Sequence, residues 1–237
     1  MPPKRKTRGT TRNSRTSSSS SNKRFASEEN MVKRNKKSAF EDNVMAMFSE
    51  FAGGSEKFAI DMEGISKLCE QIDIDPESDV RVLVLLWKLG ANDRPGEISK
   101  EEFLGGCTRL GVDSASKIQG LMPSLDLGFL DREEFKGFYK FCFQFQREGT
   151  HRTLDSGLVS ALLDMLLKGG RIPSERLETF IEYLDTKCPN TRITLDQWTS
   201  FLEFAYEVED LADYDEDGGA WPVLLDEYVE WMAAKNK

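Results

Sequence analysis

The chain has 237 residues, 39% of them hydrophobic, enough to build a core in one or two packed units. Its formal charge of −9 conceals a division: residues 1–37 hold twelve Lys/Arg against two acidic residues, net +10, and the remainder holds twenty against thirty-nine, net −19. One histidine and four widely separated cysteines exclude a RING-type zinc ligase and a C-x-x-C redox centre on ligand count. No stretch approaches the roughly 20 apolar residues of a membrane span, and the N-terminus is too polar for a secretory signal. A soluble protein inside the cell, with reduced thiols and no membrane partner, is expected.

Residues 1–38 are rich in Ser, Thr, Lys and Arg, with no helical period, and read as a disordered basic tail. Its clusters "PPKRK" and "VKRNKK" suit a nuclear import receptor, so the nucleus is the expected location, with the cytoplasm also open. No specific nucleic-acid target is expected. Pro2 excludes N-myristoylation, which needs glycine there.

From about residue 40 the apolar residues recur every three or four positions, as in Leu154, Leu158, Ala161, Leu162, Met165 and Leu166. Capping pairs Ser99 with Glu102, Asp131 with Glu134, and Thr194 with Gln197 mark helix starts. About ten helices and no convincing strands follow, an all-α fold. Two starts, "RPGEISKEEF" and "DLGFLDREEF", resemble the back half of an EF-hand loop: a turn glycine, then an acid six residues on at position 12. Their front halves, Ala91, Asp93, Pro95 and Pro123, Leu125, Leu127, hold too few oxygens for calcium. The helix "VRVLVLLWKL", 80–89, is apolar nearly all round, hence central, and a helix of this kind can also line a peptide groove. His151 lies in a polar link, where a solvated role outweighs a catalytic one.

Between Glu203 and Glu230 there are eleven acidic residues and no Lys or Arg. "DYDEDGGAW", 213–221, opens like a calcium loop, but its position 12 is Leu224, which cannot ligate a hard cation. No metal, cofactor or catalytic residue is expected. The run leads into "AWPVLLDEYVEWM", where acids alternate with large apolar groups, a pattern that attracts a basic protein surface.

"YDEDGGAWPVLLDEYVEW", with "LDQWTSFLEFA", "FYKFCFQFQREGTHRTLD" and "EGISKLCEQIDIDPES", resembles the defective-in-cullin-neddylation family and its potentiating-neddylation (PONY) domain, here 39–234. The resemblance implies a degenerate EF-hand-like N-terminal half and a helical C-terminal half. It implies a non-catalytic scaffold ligase that joins a cullin to the neddylation conjugating enzyme and promotes transfer of the ubiquitin-like modifier. The cullin winged-helix region would bind Asp196, Ala220 and Asp226. The conjugating enzyme's acetylated N-terminal methionine would enter a pocket of Ile65, Val82, Leu85, Leu86, Leu89 and Phe145. One departure from the pattern is Gly219, an extra glycine beside Gly218. The short basic tail, with no ubiquitin-associated domain ahead of the body, resembles the nuclear branch of the family. The alternative reading is a calcium-regulated EF-hand-type sensor or adaptor.

Overall fold

A computed structural model describes residues 19–53, 57–211, 214 and 221–235, with side chains from Met31 onward except at 32 and 33. It divides into two units, 1–42 and 43–237. In the first, helix α1 (Ser19–Phe51) starts inside the segment whose composition reads as disordered. From Asn22 onward that segment holds Lys, Arg, Ala, Glu and Met with no Gly or Pro, so it can propagate a helix without the apolar stripe that reveals one in a sequence. An exposed Lys37–Glu41 pair at 3.8 Å adds i,i+4 support. The remaining tail residues, 1–18, lie outside the described residues.

The second unit opens with the last turns of α1, which bury Val44, Met47, Phe48 and Phe51 at helical spacing. Then come β1 (Ala59–Ile60), α2 (Met62–Gln71), α3 (Arg81–Leu89), β2 (Ile98–Ser99) and α4 (Lys100–Leu110). β1 and β2 pair antiparallel, Ile60 opposite Ile98, and tie the loop ahead of α2 to the loop ahead of α4. A short antiparallel joint between two loops is also how paired EF-hands are tied, and here it adds a partner that the sequence reading did not name. The partner of loop 91–102 is the loop after α1, whose front half carries no acidic ligand series. The "DLGFLDREEF" segment, preceded by a 3-10 turn at Met122–Leu125, instead forms a second one at Leu127–Phe129, with Leu130 outside any strand.

α5 (Ala115–Leu121) and α6 (Arg132–Phe145) lead to β3 (Thr153–Asp155), α7 (Ser156–Leu167), α8 (Ser174–Lys187), β4 (Arg192–Thr194), α9 (Leu195–Glu207) and α10 (Val223–Lys235). β3 and β4 pair antiparallel with Leu154 opposite Ile193, so the C-terminal half repeats the joint between loops seen in the N-terminal half. Leu154 is therefore in a strand and not on a helix. The buried face of α7 is Val159, Leu162, Leu163, Leu166 and Leu167, one step round from the face the sequence spacing suggests. Apolar residues cover both faces of this helix, so periodicity could not choose between them. All three capping boxes read from sequence are formed, at Ser99, Asp131 and Thr194. No helix among the described residues is long and apolar enough to cross a membrane.

Candidate functional site

The N-terminal site is built around α3, which is buried along most of its length against α4 and α6. Gly106 of α4 makes that approach possible: a Cβ there would lie 2.4 Å from the Leu89 carbonyl oxygen. Val82, Leu85, Leu86 and Leu89 of α3, Ile65 of α2 and Phe145 at the end of α6 are all core residues, none more than 4% exposed. All six expected pocket residues are thus buried apolar side chains, four of them on α3. Phe145 borders a cavity of about 60 Å³, shared with Ala91, Pro95, Phe141 and Arg147. That is far below the roughly 300 Å³ of a small ligand pocket.

The loop beside this interior, 91–102, is closed by hydrogen bonds to Glu102. Glu102 stands at loop position 12, where an EF-hand has its bidentate calcium ligand. Here one carboxylate oxygen accepts from the backbone N–H groups of Asn92 (2.7 Å) and Asp93 (2.8 Å). The other accepts from the Ser99 backbone N–H and hydroxyl, both at 2.8 Å. Burial raises the Glu102 pKa, but these hydrogen bonds outweigh it and hold the carboxyl below its usual value. Gly96, at φ +68°, turns the loop, and its N–H donates to the Phe145 carbonyl at 2.8 Å, anchoring the loop to the end of α6.

The C-terminal site is formed by two neighbouring helix starts. Asp196 is exposed in the first turn of α9, and Asp226 is half-buried in the first turn of α10. Leu224 meets Gln197, Trp198 and Phe201 around a small void of about 10 Å³, which seats the start of α10 beside the early turns of α9. Neither aspartate forms an ion pair among the described residues. Each carboxylate is favoured by the positive end of its helix and remains available to a cation from outside. The Asp226 carboxylate accepts a hydrogen bond from the Tyr214 hydroxyl. Tyr214 in turn packs edge-on to Phe204 of α9 at 5.6 Å, as does Trp221 at 5.6 Å. Tyr214 is a positioning residue that the sequence reading passed over; its place eleven residues before Leu225 carries no periodic signal. Ala220, Gly218 and Gly219 lie outside the described residues, as do Asp213, Asp215 and Asp217 of the calcium-like run.

The four cysteines are all buried free thiols. Burial pushes Cys69 up to about 11 and Cys107 up to about 12, and holds Cys142 well above its usual value. A buried, fully protonated thiol is a poor nucleophile. Among the described residues no three His, Cys, Asp or Glu side chains converge as a metal site.

Residues 117–231, which contain α9, most of α10 and both aspartates, match the family described as cullin binding. Human DCN1-like protein 5 is 40% identical over 193 residues, which is 81% of this chain and 78% of that protein. The chain belongs to the DCN1-like family. Human DCN1-like protein 4 is 38% identical over 190 residues, 80% of this chain and 62% of that protein. The Drosophila melanogaster DCN1-like protein 4 is 36% identical over 189 residues, 79% and 73% of the two chains. Membership of the DCN1-like family and the cullin-binding match support a role in cullin neddylation.

Proposed function

We propose that the chain is a scaffold-type ligase of cullin neddylation, holding a cullin winged-helix region on its C-terminal half and an N-acetylated conjugating enzyme on its N-terminal half. The observation that carries the reading is the pair of helix starts within the cullin-binding match, where Asp196 and Asp226 present carboxylates without a cationic partner. A basic cullin segment laid across them would gain charge-assisted hydrogen bonds. Ala220 is assigned to the same patch because a small residue lets that segment approach the backbone.

Nothing covalent is asked of this chain. Holding the loaded conjugating enzyme beside the acceptor lysine makes the encounter effectively intramolecular, and the protonated, buried thiols speak against a thioester carried on the chain itself. The six apolar residues around α3 are the chemistry an acetylated methionine needs: acetylation removes an ammonium charge whose burial would be costly. Because these side chains are buried, capture must part Leu86 and Phe145 from their neighbours, and the anchored 91–102 loop is the wall that would yield. The basic clusters of the tail would carry the protein into the nucleus by an import receptor.

Binding of a purified cullin C-terminal region tests the reading. Asp196→Ala and Asp226→Ala should each weaken it by about 1–3 kcal/mol, or roughly 5- to 150-fold. Unchanged affinity in both variants would remove the patch from the account.

A further inference from the structure

Arg176 of α8 is 8% exposed, yet its Nη1 has no hydrogen-bond partner. Nη2 makes only a long bond, 3.4 Å, to the Glu209 carbonyl, and the guanidinium lies over the Phe204 ring at 5.1 Å. Arginine does not shed its proton in a protein, so an unmet donor in a buried guanidinium is a standing free-energy cost that an acceptor would relieve. Burial holds its pKa below the usual guanidinium value, against the opposing influence of Tyr228, Asp210 and Glu175.

Arg176 lines a cavity of about 210 Å³. Thr179 and Tyr228 line it, their hydroxyls hydrogen-bonded to each other at 2.7 Å, so neither competes strongly for Arg176. Glu175, Glu209 and Asp210 also line it and are exposed. The exposed Glu175 and Glu209 carboxylates leave the rim acidic, which disfavours a free anion. The surroundings therefore ask for two things at once: a neutral oxygen for Nη1 and a cation for the rim.

A peptide supplies both. We propose that this cavity binds a basic peptide segment, with one main-chain carbonyl oxygen accepting from Arg176 Nη1 and an adjacent Lys or Arg side chain paired with Glu175 and Glu209. The volume suits one residue of such a segment, being smaller than a drug-sized pocket. A peptide oxygen would supply the acceptor that Nη1 lacks and so relieve that cost. The site is distinct from the proposed cullin patch and does not rest on it. On α10, Tyr228 and Met232 lie about 200° and 240° round the helix from Asp226.

The test uses the full chain and side-chain ¹⁵N NMR of the arginine guanidinium groups, with the Arg176 signal assigned by its loss in Arg176→Lys. The probe is an N-acetylated, C-amidated hexapeptide, Gly-Gly-Lys-Arg-Gly-Gly; the controls are the same peptide with both basic residues replaced by glutamine, and sodium acetate. The expected result is a saturable shift of the Arg176 signal with the basic peptide, weakened about tenfold by the glutamine replacements. The Glu175→Gln/Glu209→Gln variant, whose changes are on exposed side chains, should weaken it by a similar factor. Two results overturn the proposal: a saturable shift with acetate at concentrations equal to or below those of the peptide, which would make this an anion site, or no saturable shift with the basic peptide.

Discussion

Tyr139 and Trp198 each donate a hydrogen bond to the other's main-chain carbonyl: the Tyr139 hydroxyl to Trp198 at 3.2 Å and the Trp198 indole N–H to Tyr139 at 3.0 Å. Their rings stack at 4.1 Å and 9°, fully buried. This exchange joins α6, which ends at Phe145, to α9, whose first turn holds Asp196. A scaffold of the kind proposed must hold its two docking sites at a fixed spacing, and this pair is one of the ties between α6 and α9, beside Phe143–Trp198 and Lys136–Glu203. Tyr139→Phe should cost about 1 kcal/mol and Trp198→Ala about 3–5 kcal/mol in urea unfolding, the first from a lost hydrogen bond and the second from a cavity.

Glu102 is one of the carboxylates that tie the stability of the N-terminal half to pH. Its folded pKa is depressed below the ordinary glutamate value of 4.5, so on acidification the unfolded chain takes up the proton first. The stabilisation is complete above pH 4.5 and is lost as pH falls through the folded value. Glu102→Gln places an amide donor against backbone N–H groups, and should cost about 1–3 kcal/mol near neutrality. It should also flatten the stability–pH curve below 4.5, which unfolding titrations at several pH values would show.

The acidic patch should make cullin capture salt-dependent. Raising ionic strength shortens the screening length from about 30 Å at 0.01 M to 10 Å at 0.1 M, so association should slow over that range. Asp226→Asn should reduce the salt slope while leaving the melting temperature nearly unchanged. Stopped-flow association measured at several salt concentrations reads both effects.

Replacing Lys4, Arg5, Lys6, Lys33, Arg34, Lys36 and Lys37 with glutamine should abolish nuclear accumulation of a fluorescent fusion. The same variant should retain its neddylation activity in a purified system. Loss of activity there would mean that the basic segment takes part in the scaffold.

Much of the helical framework was legible because local chemistry specifies it: the capping boxes at Ser99, Asp131 and Thr194 mark where α4, α6 and α9 begin. The loop joints were not. Ile60 opposite Ile98 and Leu154 opposite Ile193 are two- and three-residue strands, too short to show alternation, and each pairs residues nearly forty apart in the chain. The loop ahead of α2 escaped notice because it has lost its acidic ligands, while "DLGFLDREEF" keeps the EF-hand lettering without the pairing. At the candidate sites, the motifs placed Asp196 and Asp226 near helix starts, where the structure has them, but gave no sign of Tyr214 or Arg176. Their roles come from contacts with Asp226 and Phe204 that no sequence period announces.

The most direct measurement is the rate of modifier transfer to a purified cullin, with the conjugating enzyme acetylated or unacetylated at its N-terminus and with this chain present or absent. The account predicts that the chain accelerates transfer from the acetylated enzyme, that the acceleration falls about tenfold or more without acetylation, and that Asp196→Ala/Asp226→Ala removes it. Equal acceleration from both forms of the enzyme, undiminished in the double variant, would contradict the scaffold.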